Sequence, residues 1–273
     1  MATFRPITLI TGASSGIGAS LVRIFAENGH EVVMVSRTEP LMTALANEVG
    51  MRGQPRPLVL PMDLTRVDAS ARLGHELASR GLEPSYVVNN AGFGLLGVSE
   101  ELDRAEQLSM IDLNVRALTE LSLRWIESLR LHKGGLLNVA SVAAFLPGPN
   151  MAVYYASKAY VLSFTEALHA ELAPQGVKVT VLCPGPVPTA FQARAGLADM
   201  PNILSRSPEQ VAHEGYHGLM TGKRIVVPGL PNKVMTFLPR LLPRSFMLKM
   251  IDRHTRGRRS AVRTDADWPR ATR

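Results

Sequence analysis

Residues 8–18 read TLITGASSGIG, and the fold follows from where this stretch is divided. Residues 8–11 are a short apolar and β-branched run of strand character. From Ile17 an apolar series begins, with Leu21, Ile24 and Phe25 on one helical face and Gly29 placed to end it. Between the two lie Gly12, Gly16 and Gly18, with Ser14 and Ser15 among them. The glycines permit a tight turn and a close approach of backbone to ligand. A helix opening behind such a turn presents unpaired N–H groups, which suit a pyrophosphate. An ordinary glycine turn can look the same; its place at the first strand-to-helix junction is what favours a nucleotide.

The same alternation continues through residue 230. Apolar, β-branched runs recur at 32–36, 58–62, 86–90, 136–141, 178–183 and 224–228, with stretches of helical period between them. Strands alternating with helices predict a parallel sheet covered on both faces, and near-continuous apolar strands agree with that. The expectation is one doubly wound, Rossmann-like α/β domain of about seven strands over residues 1–230, followed by an extension over 231–273.

With 273 residues and 46% hydrophobic content, the chain is long enough to bury a sizeable core. Cys183 is its single cysteine, which excludes an intramolecular disulfide and points to a reducing, cytoplasmic setting. No basic head followed by an apolar run marks a secretory signal. Residues 134–157 carry no charge, yet they include Asn138, Pro147, Gly148, Pro149 and Asn150, so a buried strand and loop fit better than a membrane span. The net charge of +7 is uneven. Residues 233–273 hold 11 Lys/Arg and 3 Asp/Glu, leaving 19 and 20 for the rest. The basic character thus belongs to the extension, and no nucleic-acid partner is expected of the domain. The seven histidines are scattered, and no metal site is expected.

Residues 151–161, MAVYYASKAYV, place a lysine among three tyrosines. A free phenol near pKa 10 is a poor base, and a neighbouring cation favours its ionised form. Tyr154 lies four residues before Lys158 and Tyr155 three, so helical geometry lets either share its face.

Taken together, TGASSGIG, VVMVSR, NNAG (89–92) and the Tyr/Lys segment resemble the short-chain dehydrogenase/reductase family over about residues 5–230. That resemblance selects Tyr154, since its active-site pattern is Y-x-x-x-K. It adds Ser141 at the end of the preceding strand and Asn114 in the long helix between the fourth and fifth strands, giving a catalytic set of Asn114, Ser141, Tyr154 and Lys158. It also implies a nicotinamide cofactor held by Gly12, Ser14, Ser15, Gly16, Ile17, Gly18, Tyr154 and Lys158. Asp63 and Leu64 fall at the adenine, although Asp63 also reads as a helix N-cap. Asn90 falls at the adenosine ribose, and Pro184, Gly185, Val187 and Thr189 fall at the nicotinamide. Where NAD-using members carry an acidic residue after the second strand, this chain has Ser36 and Arg37. A guanidinium suits a 2′-phosphate, so NADP is expected.

The reading is an NADP-dependent carbonyl reductase or alcohol dehydrogenase. Loops near 93–98, 143–153 and 190–206 are lined by the largely apolar FGLLGV, AAFLPGPNM and FQARAGLADM, which carry no fixed anion clamp beyond Arg194, and this favours a small hydrophobic carbonyl or alcohol. The alternative is a non-catalytic nucleotide sensor or membrane-recruited scaffold, which the complete tetrad argues against. A homodimer or homotetramer is expected through the helices carrying Asn114 and Tyr154. In the extension, Val234, Phe237, Leu238, Leu241 and Leu242 have helical period, and Pro239 and Pro243 divide it into two short helices, the second including Phe246, Met247, Met250 and Ile251. Three roles stay open for it: a lid on the substrate cleft, a subunit interface, or a peripheral contact with an anionic membrane.

Overall fold

The computed structural model describes residues 4–189, 205–237, 243 and 245–252. Its strands are β1 (Arg5–Thr11), β2 (Val32–Ser36), β3 (Leu58–Pro61), β4 (Leu82–Asn89), β5 (Gly135–Val139), β6 (Lys178–Leu182) and β7 (Ile225–Val226). The helices are α1 (Gly16–Glu27), α2 (Glu39–Met51), α3 (Ala69–Ser79), α4 (Arg104–Ile111), α5 (Leu118–Arg124), α6 (Ile126–Leu131), α7 (Ala152–Leu172), α8 (Pro208–Met220) and α9 (Leu230–Phe237). A further helical stretch spans 245–252.

The strands form one parallel sheet in the order β3-β2-β1-β4-β5-β6-β7. Chain direction across the sheet reverses between β1 and β4, which opens a crevice outside their carboxyl ends. Side chains alternate between two cores. Ile10, Met34, Val88, Leu137 and Leu182 pack with Leu21, Phe25, Met42 and Leu219 from α1, α2 and α8. Leu9, Val33, Val87, Leu136 and Val179 pack with Leu73, Leu121, Leu129 and Leu168 on the other face. Burial on both faces is why the strands read as unbroken apolar runs.

Several boundaries differ from expectation, β1 among them, which begins at Arg5 rather than at residue 8. β4 begins at Leu82 rather than 86, because Pro84 is accommodated at a register shift against Ile7 and Thr8 of β1. Its carbonyl accepts from Ser128 Oγ at 2.6 Å. β5 ends at Val139, and Ala140 and Ser141 peel toward the following turn. β7 is two residues long. The long helix that carries Asn114 is not uniform: between α4 and α5 it widens into a π-helical segment, Asp112–Ala117. Such widening breaks the regular hydrogen-bond ladder and is frequent at functional sites.

Leu168 and Leu172 of α7, a helix expected at a subunit contact, are buried in the domain's own core with Leu136 and Val179. The extension does form short helices, with Pro243 accepting from Phe246 N and Met247 N at the start of the second. Among the described residues of the extension, Met247 is the one large apolar side chain that is buried. Leu238, Leu241 and Leu242 lie outside the described residues. The uncharged run 134–157 is β5, a turn, a loop and the start of α7. Among the described residues no helix is long and apolar enough to cross a membrane.

Candidate active site

At the carboxyl ends of β1 and β4 lies a cleft of about 310 Å³. Its lining includes all the sequence-selected cofactor residues but Gly18, and Ser141, Tyr154 and Lys158 of the tetrad. The β1–α1 turn forms one end. Gly12 and Gly16 adopt positive φ, +63° and +55°, a region closed to most side chains. A Cβ on Gly12 would fall 2.8 Å from Ala91 Cα, and one on Gly16 would fall 2.8 Å from Thr189 Cγ2. Gly18 packs directly on the carbonyl of Gly12. Ser15 is the N-cap residue of α1 yet makes no capping hydrogen bond, and the first turn holds no acidic residue. The turn therefore offers backbone N–H groups to an anion.

Asn90 ties this turn to β4. Its Nδ2 donates to the carbonyls of Thr11 and Gly12, both at 3.1 Å, while Thr11 Oγ1 accepts from the amides of Asn90 and Ala91. Asn90 thus braces the glycine turn while lining the crevice. Ser36 Oγ donates to Ser14 Oγ at 3.0 Å. Arg37 is exposed at the rim. Asp63 spends its carboxylate on Thr65, accepting from the amide at 3.0 Å and the hydroxyl at 2.8 Å. Burial alone would raise its pKa; these bonds, with Arg37 and Arg66 nearby, bring it below the ordinary value. Leu64 beside it is buried. At the far end Thr189 Oγ1 donates to Val187 O at 3.3 Å, and Gly185 lies against Asn232 of α9.

Tyr154 and Lys158 sit one turn apart on α7, with Lys158 Nζ 5.9 Å from the ring centroid. The ammonium donates to Val139 O at 2.9 Å. Ser141 follows β5, where its Oγ accepts from Ala143 N at 3.1 Å and caps the turn Val142–Phe145. It also hydrogen-bonds the Tyr154 side chain. The expectation that Lys158 lowers the Tyr154 pKa is not met. Burial pushes Tyr154 up to about 12, against the smaller downward pull of Ser141. Lys158 is itself brought down to about 8 by burial. Desolvation opposes charge on each group, and the lysine's hydrogen bond goes to the main chain rather than to the phenol.

Asn114 is fully buried in the π segment. Its Oδ1 accepts from Phe93 N at 3.1 Å, and Nδ2 donates to Phe93 O at 2.9 Å and Ser157 Oγ at 3.1 Å. Both amide hydrogens are therefore committed to protein. The sequence reading missed Gly92, Phe93 and Ser157, which hold Asn114 in place. Gly92 was visible in the NNAG stretch, but its contacts cross the fold. Cys183, behind Lys158, is buried and its thiol is pushed up by desolvation, as for a small hydrophobe.

Above Tyr154 the wall is apolar. Phe93, Met110, Ala143, Met151 and Tyr154 form one buried cluster, with Leu95, Leu96, Leu113, Val153 and Tyr155 packed on it. Tyr155 lies against Gly148. Arg194 is outside the described residues. Among the described residues no group of His, Cys, Asp and Glu could hold a metal ion.

A glycine cradle, an uncapped helix start and a Ser/Tyr/Lys group at the far end of the same crevice fit a nicotinamide dinucleotide lying across the sheet edge. Comparison with known proteins agrees. Sulfoacetaldehyde reductase 2 of Chromohalobacter salexigens is 35% identical over 188 residues, 68% of this chain and 74% of that one. A short-chain dehydrogenase from Sphingobium yanoikuyae, solved in complex with NADPH, superposes with a TM-score of 0.77 at 28% identity, covering 98% of this chain and 99% of that one. The bulky-bulky ketone specific alcohol dehydrogenase from Comamonas testosteroni gives 0.73 at 25% identity, covering 99% and 98%. The short chain dehydrogenase family profile matches residues 6–199, and the chain belongs to that family of nicotinamide-dependent oxidoreductases.

Proposed function

We propose that the protein is an NADP-dependent carbonyl reductase, or alcohol dehydrogenase in the reverse direction, acting on a hydrophobic ketone, aldehyde or lipid-like alcohol. The observation that carries this reading is the Tyr154 phenol. It is kept protonated by burial, hydrogen-bonded to Ser141, and set at the junction of the dinucleotide cleft and an apolar wall. The nicotinamide, when bound, supplies or accepts the hydride. The chain supplies the rest. Tyr154 gives its proton to the oxygen on which charge develops, and Ser141 shares the hydrogen bonding of that oxygen. Lys158 places a positive charge beneath the site. Asn114, locked by Phe93 and Ser157, fixes the helix behind it.

Arg37 supports the choice of NADP, because the strand end offers a cation and two hydroxyls and no carboxylate of its own. The Sphingobium relative was solved with NADPH. For the substrate, the apolar wall agrees better with bulky ketones, such as the Comamonas enzyme's name specifies, than with a sulfonated aldehyde. An anionic head group needs a cationic clamp; loops 93–98 and 143–151 contain no Lys or Arg, while loop 190–206 carries Arg194 and Arg206, so the anionic aldehydes belong in the test. The test is oxidation of NADPH and NADH, side by side, against carbonyls graded from short anionic aldehydes to bulky apolar ketones. Preference for NADPH and bulky ketones is expected. Preference for NADH, or for the anionic aldehydes, would reject the corresponding half of the reading.

A further inference from the structure

Helix α9 is amphipathic in the wrong sense for a helix packed on its own domain. Its polar residues face inward: Asn232 is 1% and Thr236 9% exposed. Asn232 Nδ2 donates to Pro228 O at 2.8 Å, and its amide lies against Gly185. Its apolar residues face outward: Leu230, Val234 and Phe237 are 72%, 60% and 56% exposed. They recur at i, i+4 and i+7, so they form one stripe. The helical stretch 245–252 adds exposed apolar side chains, although the residue it buries is itself apolar. Met247 is buried, while Phe246, Leu248 and Met250 are exposed beside exposed Lys249. Apolar surface concentrated in this way marks a contact with something outside the domain.

We propose that this face docks on an anionic lipid bilayer. The charge of the segment decides among occupants. Residues 233–273 hold 11 Lys/Arg against 3 Asp/Glu, whereas the rest of the chain is close to neutral. A second copy would carry the same excess of positive charge in the same segment of its sequence, with Lys233 and Lys249 exposed beside the apolar side chains. A bilayer with anionic headgroups attracts it and accepts the aromatic and aliphatic side chains at the headgroup boundary. Short pieces divided by prolines suit a helix lying in the interface plane, and no described helix has the length to span.

The test is co-sedimentation of the full chain with phosphatidylcholine vesicles, with and without phosphatidylglycerol. Binding is expected to the anionic vesicles alone and to weaken as salt is raised. Val234→Glu/Phe237→Glu is expected to weaken it by roughly tenfold or more. Cofactor affinity and thermal midpoint should hold, because both side chains are already exposed. Phe237→Trp gives a second readout, an emission shift to the blue on anionic vesicles. Three results overturn the proposal: no binding to anionic vesicles, binding that the double variant leaves intact, or a double variant that changes the oligomeric state without lipid. The last would make the face a subunit interface.

Discussion

Gly92 brings the main chain against the Asn114 side chain so closely that a methyl at its Cβ position would lie 2.9 Å from Asn114 Oδ1, with Lys158 Nζ at 3.3 Å. The glycine therefore sets the spacing between a strand-end loop and two candidate catalytic residues. Gly92→Ala has to displace Asn114, whose amide is already bonded to Phe93 and Ser157. The expected result is a fall in kcat of about tenfold or more, with destabilisation of about 1–3 kcal/mol and NADPH affinity largely kept. Steady-state kinetics beside a denaturant titration would check it. An unchanged kcat would show that Asn114 has no bearing on turnover.

Tyr154→Phe keeps the buried ring and deletes the hydroxyl that meets Ser141. Reduction is expected to fall by roughly a hundredfold to ten-thousandfold, with NADPH binding retained by fluorescence titration. Tyr155→Phe preserves the ring that rests on Gly148 and is expected to cost less than about threefold, since no proton transfer is assigned to it. If the two variants exchanged behaviour, the tyrosine assignment would be off by one residue.

Arg37→Ala removes the rim cation from the end of β2. If it meets a 2′-phosphate, NADPH affinity should drop by about tenfold to a hundredfold, while NADH affinity moves little. Equal losses, measured by paired titrations, would place Arg37 outside the phosphate contact.

The fold was legible because strands buried on both faces write long apolar runs, and β1, β2 and β6 fall on the predicted runs within a few residues. Pro84 obscured the start of β4, since a proline inside a strand is tolerated only where the register shifts. In the site, Tyr154 and Tyr155 were equivalent by helical spacing, and only family resemblance separated them. The structure distinguishes them by neighbours: Tyr154 is buried with Phe93, Met110 and Met151, and Tyr155 rests on Gly148. The direction of the Tyr154 shift was not legible for the same reason. Its cause is desolvation by residues as distant in sequence as Phe93, whereas the sequence showed only the neighbouring Lys158. The inverted face of α9 was hidden too, because helical period alone does not say which stripe meets the domain.

A homodimer or homotetramer through α7 and the helix containing Asn114 is proposed on the surface that α7 leaves free, since its Leu168 and Leu172 are in the core. What remains is Tyr160 stacked on Phe164 at 5.6 Å, with Tyr160 and Thr119 hydroxyls 3.0 Å apart. Leu108, Ile111 and Leu123 of the same long helix are exposed as well. Leu123→Asp/Tyr160→Asp is expected to give monomers in sedimentation velocity. A wild-type protein already monomeric at micromolar concentration would reject the proposal.

Lys158 is a buried amine whose pKa is brought from 10.5 down to about 8, chiefly by desolvation. Between those values the unfolded chain binds a proton that the folded site does not. The residue's contribution to stability therefore rises with pH across that window and is lost as pH falls through about 8. At neutral pH the folded protein holds a charge in a place that disfavours it. Lys158→Met fills the same volume without that charge, so it is expected to stabilise the fold at pH 7 by about 2–3 kcal/mol. Its advantage should shrink as the pH approaches 10.5. Turnover should be lost at every pH, because the site then lacks the cation beneath Tyr154. Thermal midpoints of both proteins across pH 7–10, beside their kinetics, decide the matter. A variant less stable than wild type at neutral pH would mean that the Lys158–Val139 hydrogen bond outweighs the desolvation of the ammonium.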